Sequence, residues 1–249
     1  MKGKIDSRLA IWLNKLLGKN LNELVLVLDP KGIKTTQLDT FGYRMVDAYI
    51  EKEDENILIW NVENEVKIPI MDLQLFNNII ANFNGLLDIE TDEEKVIMKS
   101  ETEKGKRKAE YILAEESYIK SKSKDIKMDD YFMVNIPLNV INRILKDIAI
   151  IPSKYIGIVV KNKTLSFIIG EKKENRMVES VLLKQDNNIV MDVEREYFGE
   201  TFSSLTEEEI TLGLKDNFPL CVIEKAKCWQ VINYLATVEK EELIESNSH

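Results

Sequence analysis

The chain has 249 residues, 44% apolar and 31% charged, with a formal net charge of −9, which suits one large globular domain or two ordinary ones and excludes a disordered chain. No apolar run approaches the roughly 18 residues that span a bilayer, so no membrane partner is expected. Cys221 and Cys228 are too few for a disulfide framework and, with the single His249, make a poor zinc site. The acidic balance excludes a simple nucleic-acid coat and leaves room for a local basic face.

The opening MKGKIDSRLAIWLNKLLGKN is basic and amphipathic. It lacks a continuous apolar stretch and a small-residue cleavage site, so it reads as a helix and not a signal peptide. Residues 5–17 place Ile5, Leu9, Leu13, Leu16 and Leu17 at helical spacing, with Arg8 and Lys15 one heptad apart on the other side. Strands follow: ELVLVLD, a DPKG turn at 29–32, then IKTTQLD and YRMVDAYIEKE in period two, and ILIWNVENEVKIPI. A second helix is predicted over 71–83, then strands LLDIETD, KVIMKSE and AEYILAE (109–115).

The second half repeats this order. YFMVNIP (131–137) is a strand and 138–149 a helix, with Val140, Ile141, Ile144, Leu145 and Ile148 on one side. Strands YIGIVVK, TLSFIIGE, RMVESVLLK (176–184) and NNIVMDV precede a helical stretch at 197–205, and EITLGLKD, PLCVIEKA and CWQVINYLATV close the chain. Each half reads helix, about four strands, helix, three strands. The extra opening strand of the second half has a short counterpart in MKGKI. The Lys- and Ser-rich stretch 116–130 joins the halves as an exposed linker. The expected fold is therefore α+β: a duplicated domain with two helices packed on antiparallel β-sheets in each half, over residues 1–118 and 131–249, with a connecting linker at 119–130.

This ordered series resembles the sliding clamps of DNA replication, both proliferating cell nuclear antigen and the clamps of tailed phages. GIKTTQLDTFGYRMVDAYI, MDLQLFNNIIANFNGLLDIETDEEKVIMKSE and IGIVVKNKTLSFIIGE are similar to successive clamp segments. PLCVIEKA with INYLATVEKEE is similar to the closing strands and acidic tail of the eukaryotic clamp. Three departures stand out. Thr237 occupies a position where that tail usually has proline. The helix at 71–83 has no Lys or Arg. The last helical stretch carries Glu196 and Glu200.

The resemblance implies a ring-forming, non-enzymatic processivity factor: a homotrimer that encircles double-stranded DNA and engages a DNA polymerase, a clamp loader and other client peptides, with no cofactor. It implies DNA contacts at Arg8, Lys15, Lys19, Arg143 and Lys146. It places the client pocket at Leu38, Tyr43, Pro219, Tyr234 and Ala236, with Ile126 and Met128 of the linker as its lid. Pairing between subunits falls on the edge strands 109–115 and 176–184, through Tyr111, Ile112, Leu113, Val178 and Val181. Closure would remove edges that otherwise invite aggregation. Such a protein would be cytoplasmic, in the host cytoplasm if phage-encoded, or nuclear if eukaryotic or from a virus of nuclear type.

From the residues alone, each assignment has a plainer rival. Arg8 with Lys15 and Arg143 with Lys146 are either phosphate contacts or a solvated helix face. Leu38 and Tyr234 are either a docking surface or ordinary core or strand residues. KGKRK (104–108) is either a nucleic-acid patch or a charged hairpin turn. Carboxylate pairs such as Asp88 with Glu90, or Asp29 with Asp39, arise by chance in so acidic a chain. No phosphate loop, HExxH or usable histidine accompanies them, so no catalytic residue and no metal ligand is assigned. The alternative function is a clamp-fold transcription adaptor or a monomeric DNA-binding processivity subunit; an unrecognised enzyme ranks last.

Overall fold

A computed structural model describes residues 2–18, 21–92, 94–102, 105–119, 126–170 and 175–238. The described chain divides into two compact units, 1–124 with 225–232 and 125–224 with 233–249.

In the first unit, β1 (Lys2–Asp6), β5 (Ile57–Asn61), β7 (Leu86–Thr91), β8 (Lys95–Thr102) and β9 (Gly105–Ile112) form an antiparallel sheet of order β5-β1-β7-β8-β9. A second run has the order β6-β2-β3-β4, from β2 (Leu24–Asp29), β3 (Gly32–Leu38), β4 (Arg44–Glu51) and β6 (Val66–Ile70). The first residues of β17 (Trp229–Leu235) pair beside β4. The DPKG signal is realised as the β2–β3 hairpin. Asp29 accepts from the backbone N–H of Lys31 (2.7 Å) and of Gly32 (3.1 Å). Gly32 adopts φ +155°, where an added Cβ would lie 2.0 Å from the Ile50 carbonyl oxygen.

Helices α1 (Leu9–Leu16) and α2 (Leu73–Ala81) pack on one another. They bury Leu13, Leu16, Phe76 and Ile80 with Leu24, Ile50 and Leu87 in one core. Helix α2 begins two residues after its predicted start at 71, because Asp72 caps it by accepting from Leu75 N–H at 2.8 Å. Helix α1 is shorter than its periodicity predicts. Ile5 belongs to β1, since Asp6 accepts from Arg8 N–H (2.9 Å) in a turn that separates strand from helix. The stretch 57–70, anticipated as one β region, splits into β5 and β6, so five strands and not four lie between the helices.

The second unit repeats the order. β10 (Phe132–Pro137), β15 (Glu209–Leu214) and β16 (Leu220–Lys225) pair consecutively. β13 (Met177–Leu182), β12 (Thr164–Ile169), β11 (Tyr155–Lys161) and β14 (Ile189–Glu194) form an antiparallel sheet in that order. Asn162 and Lys163 both take positive φ, the two-residue turn that matches strand twist. Helix α3 (Leu138–Ile150) buries Val140, Ile141, Ile144 and Ile148. Helix α4 (Arg195–Ser203) starts two residues before its predicted position and stacks Phe198 on Phe202, ring centroids 4.0 Å apart. The duplicated α+β architecture is the one the sequence implies.

Candidate nucleic-acid interface and partner surfaces

The free face of α3 is a single stripe: Asn139, Asn142, Arg143, Lys146, Ala149 and Ile150 are exposed, while Val140, Ile141, Ile144 and Ile148 are buried and Leu145 half-buried. Two cations and two amides thus share one face, as 3.6-residue periodicity requires. Arg143 meets Glu179 of β13, with Nε at 3.0 Å and Nη2 at 2.5 Å from the same carboxylate oxygen. Lys146 makes no ion pair among the described residues.

The first unit differs from expectation. Arg8 is exposed but held by Asp6 at 3.1 Å and Glu55 at 3.7 Å. The Arg8 backbone N–H and guanidinium hold the Asp6 carboxyl below its ordinary value. Lys15, predicted as a phosphate contact, is 3% exposed, with its ammonium 4.9 Å from the Trp229 ring centroid. The heptad argument fails there because Arg8 stands at the N-cap and α1 turns Lys15 toward the sheet. The exposed positions of α1 and α2 are Ile11, Asn14, Gln74, Leu75, Asn78 and Ala81, none charged. On α4, Glu196 is exposed and Glu200 half-buried. Lys19, like the acid tail 239–242, lies outside the described residues.

The predicted client residues fall in both units. In the first, Leu38 is half-buried opposite Met45, and Tyr43 is exposed on the β3–β4 turn, its N–H bonded to Asp39 at 2.8 Å. In the second, Ile126, Met128, Pro219 and Ala236 are half-buried. The Met128 sulfur is 3.6 Å from Cys221 Sγ, and Thr237 donates to the Phe218 carbonyl at 3.2 Å. Phe218 is exposed, edge-on to Tyr131 at 6.2 Å, with the Lys215 ammonium 4.1 Å from its ring centroid. Tyr234, expected at the surface, is 5% exposed; its place inside β17 turns it inward.

The edge strands also sort by period two. Tyr111, predicted at a subunit interface, is buried against Phe76 at 5.0 Å, and its hydroxyl accepts from Asp72 N–H at 3.1 Å. It serves the start of α2. Ile112, its neighbour, is 69% exposed. Leu113 and Val181 are half-buried and pack on their own cores, whereas Val178 and Leu182 point outward. The run KGKRK is accounted for by the hairpin reading where it is described: β9 begins at Gly105, and Arg107 lies over Phe83 and donates to the Asn82 carbonyl at the end of α2.

Solved structures share this fold. The chain is similar to proliferating cell nuclear antigen (PCNA) from Entamoeba histolytica, with 14% identity and a TM-score of 0.81 over 96% of this chain and 98% of that one. It is equally similar to A. fulgidus PCNA bound to the C-terminal region of FEN-1, with 15% identity and a TM-score of 0.81 over 96% and 99%. For the PCNA2–PCNA3 complex from Sulfolobus tokodaii the values are 15% and 0.76 over 95% and 99%. The chain has the sliding-clamp fold. No protein-family model and no curated protein matches the sequence.

Sequence reasoning missed two features of this clamp-fold chain. Exposed aromatics Phe41 and Phe218 each border a predicted client residue, and their turn positions gave no periodic signal. Glu179, the acid facing Arg143, lies 36 residues away in sequence, so only the packing of α3 on β13 brings it there.

Proposed function

We propose that the chain is the subunit of a ring-shaped DNA sliding clamp, a non-catalytic processivity factor that encircles duplex DNA and docks a polymerase and other clients, with a clamp loader to place it. The observation that carries this reading is a match spanning almost the whole of this chain and of each PCNA chain. The complexes of A. fulgidus PCNA with a FEN-1 segment and of PCNA2 with PCNA3 support client docking and self-association as the proposed partnerships.

The free edges support a homotrimer built by strand pairing between copies. Leu113 N–H bonds inward to Glu94 and Leu183 N–H to Lys163, so the even-numbered residues of both β9 and β13 direct their backbone groups to the open edge. Antiparallel pairing is therefore in phase on both strands. Of the in-phase registers, the one that joins the exposed apolar residues Ile112 and Val178 also sets Glu110 opposite Ser180 and Lys108 opposite Leu182. A slip of two residues one way would oppose Lys108 to Lys184, which like charges disfavour, and the other way would oppose the apolar Ile112 to Arg176.

The uncharged free faces of α1 and α2 favour a second reading, a clamp-fold adaptor that does not hold DNA. The deciding experiment loads the protein with a cognate loader on nicked circular DNA and then linearises the circle. A topological clamp is retained on the circle and lost from the linear form; an adaptor shows no difference.

A further inference from the structure

Two of the exposed cations on or beside the helices do not stand free. Arg8 is taken by Asp6 and Glu55, and Arg143 by Glu179. The second pairing is the more specific. Both Nε and Nη2 of Arg143 converge on a single oxygen of Glu179, whose side chain is largely covered while the guanidinium is about half exposed. The acid comes from β13, the cation from the free stripe of α3, and the two elements pack directly. A carboxylate so placed occupies the donors that a phosphate would use, because guanidinium recognises both anions through the same planar fork. Lys146, one turn further along the same face, has no such competitor among the described residues.

We propose that Glu179 is an internal competitor for DNA phosphate at Arg143, so that duplex binding on α3 proceeds by exchange of a carboxylate for a phosphate and Lys146 supplies the first contact. The proposal rests on the DNA-clamp reading and deepens it: it names the positioning residue that keeps the α3 face weakly adhesive. Each phosphate contact contributes about 0.9 to the slope of log affinity against log salt. While Glu179 holds Arg143, that contact is only partly made. A clamp with such a face slides readily, since every transient phosphate contact of Arg143 has a return partner within the protein.

The test is a double-mutant cycle read by fluorescence anisotropy on a short labelled duplex, across a salt series. Glu179→Gln keeps the shape and withdraws the charge. It is expected to tighten binding by about three- to tenfold at low salt and to steepen the salt slope by up to about one unit. In an Arg143→Ala background the same change is expected to have little effect, because the cation that it releases is gone. Glu196→Gln on α4 controls for the loss of any negative charge; its effect should be the same with or without Arg143. Thermal melts of each variant establish folding. Equal affinity and slope in wild type and Glu179→Gln would overturn the proposal, as would a gain that persists without Arg143. If wild type fails to bind the duplex, appearance of Arg143-dependent binding in Glu179→Gln supports it and continued absence overturns it. The clamp reading is judged separately by retention on circular DNA.

Discussion

The guanidinium of Arg44 donates to the carbonyl of Leu17 at 2.6 Å and, through its other terminal nitrogen, to that of Lys15 at 3.1 Å. A buried cation from β4 thereby serves the last carbonyls of α1, which no intrahelical N–H can reach. It also opposes the negative end of the helix dipole. Arg44→Met would leave those carbonyls without this donor in the core and is expected to cost about 2–4 kcal/mol in urea denaturation. Arg44→Lys should recover only part of this, since a single ammonium does not reproduce the fork.

Burial divides the predicted client residues into two groups with different mutant behaviour. Tyr234→Ala empties a core position and is expected to lower stability by about 3 kcal/mol. Tyr43→Ala, at a position 48% exposed, should change stability by less than about 0.5 kcal/mol. Binding of a polymerase tail peptide, followed by calorimetry, should weaken in Tyr43→Ala with the fold intact. Unchanged peptide affinity would remove this turn from the docking surface.

The β9–β13 register can be trapped. Opposed residues of an antiparallel pair have Cα atoms about 4.5–5.5 Å apart, within disulfide range. In a Cys228→Ser background, Ile112→Cys with Val178→Cys should give covalent dimers and trimers on oxidation. Ile112→Cys with Ser180→Cys should give far fewer. Native Cys221 will not interfere, because it is buried and its thiol is pushed up to about 12 by that burial.

Asp192 supplies a pH dependence of known sign. Burial raises its carboxyl above the ordinary 3.8. Between the ordinary and the raised value the folded chain holds more protons than the unfolded one, so this group lowers stability as pH rises through that window and contributes no slope above it. Asp192→Asn removes the effect. The stability of Asp192→Asn relative to wild type, followed by urea denaturation, should therefore increase as pH rises above 3.8 and level off once the raised value is passed. A difference that is flat or falls over that range would contradict the assignment.

Much of the fold was legible because strands and helices differ in period. The α3 stripe, the DPKG hairpin and the repeated element order all follow from spacing, and a duplicated α+β unit was recovered from them. Side-chain direction was less accessible. Lys15, Tyr111 and Tyr234 each lie in an anticipated element but point inward; periodicity says which residues share a face, whereas packing decides which side of each residue is covered. Partners distant in sequence were invisible for a different reason. Neither Glu179 opposite Arg143 nor Trp229 over Lys15 belongs to any local pattern; each is created when separate segments pack.

Ring closure is read out by light scattering coupled to size exclusion. At micromolar concentration the account predicts one species with three times the 28.8 kDa mass of the chain, reduced to the single-chain mass when Ile112→Lys and Val178→Lys place charges opposite one another on the paired edges. A wild-type protein that elutes as a monomer at that concentration, or an oligomer that Ile112→Lys with Val178→Lys leaves intact, would contradict it.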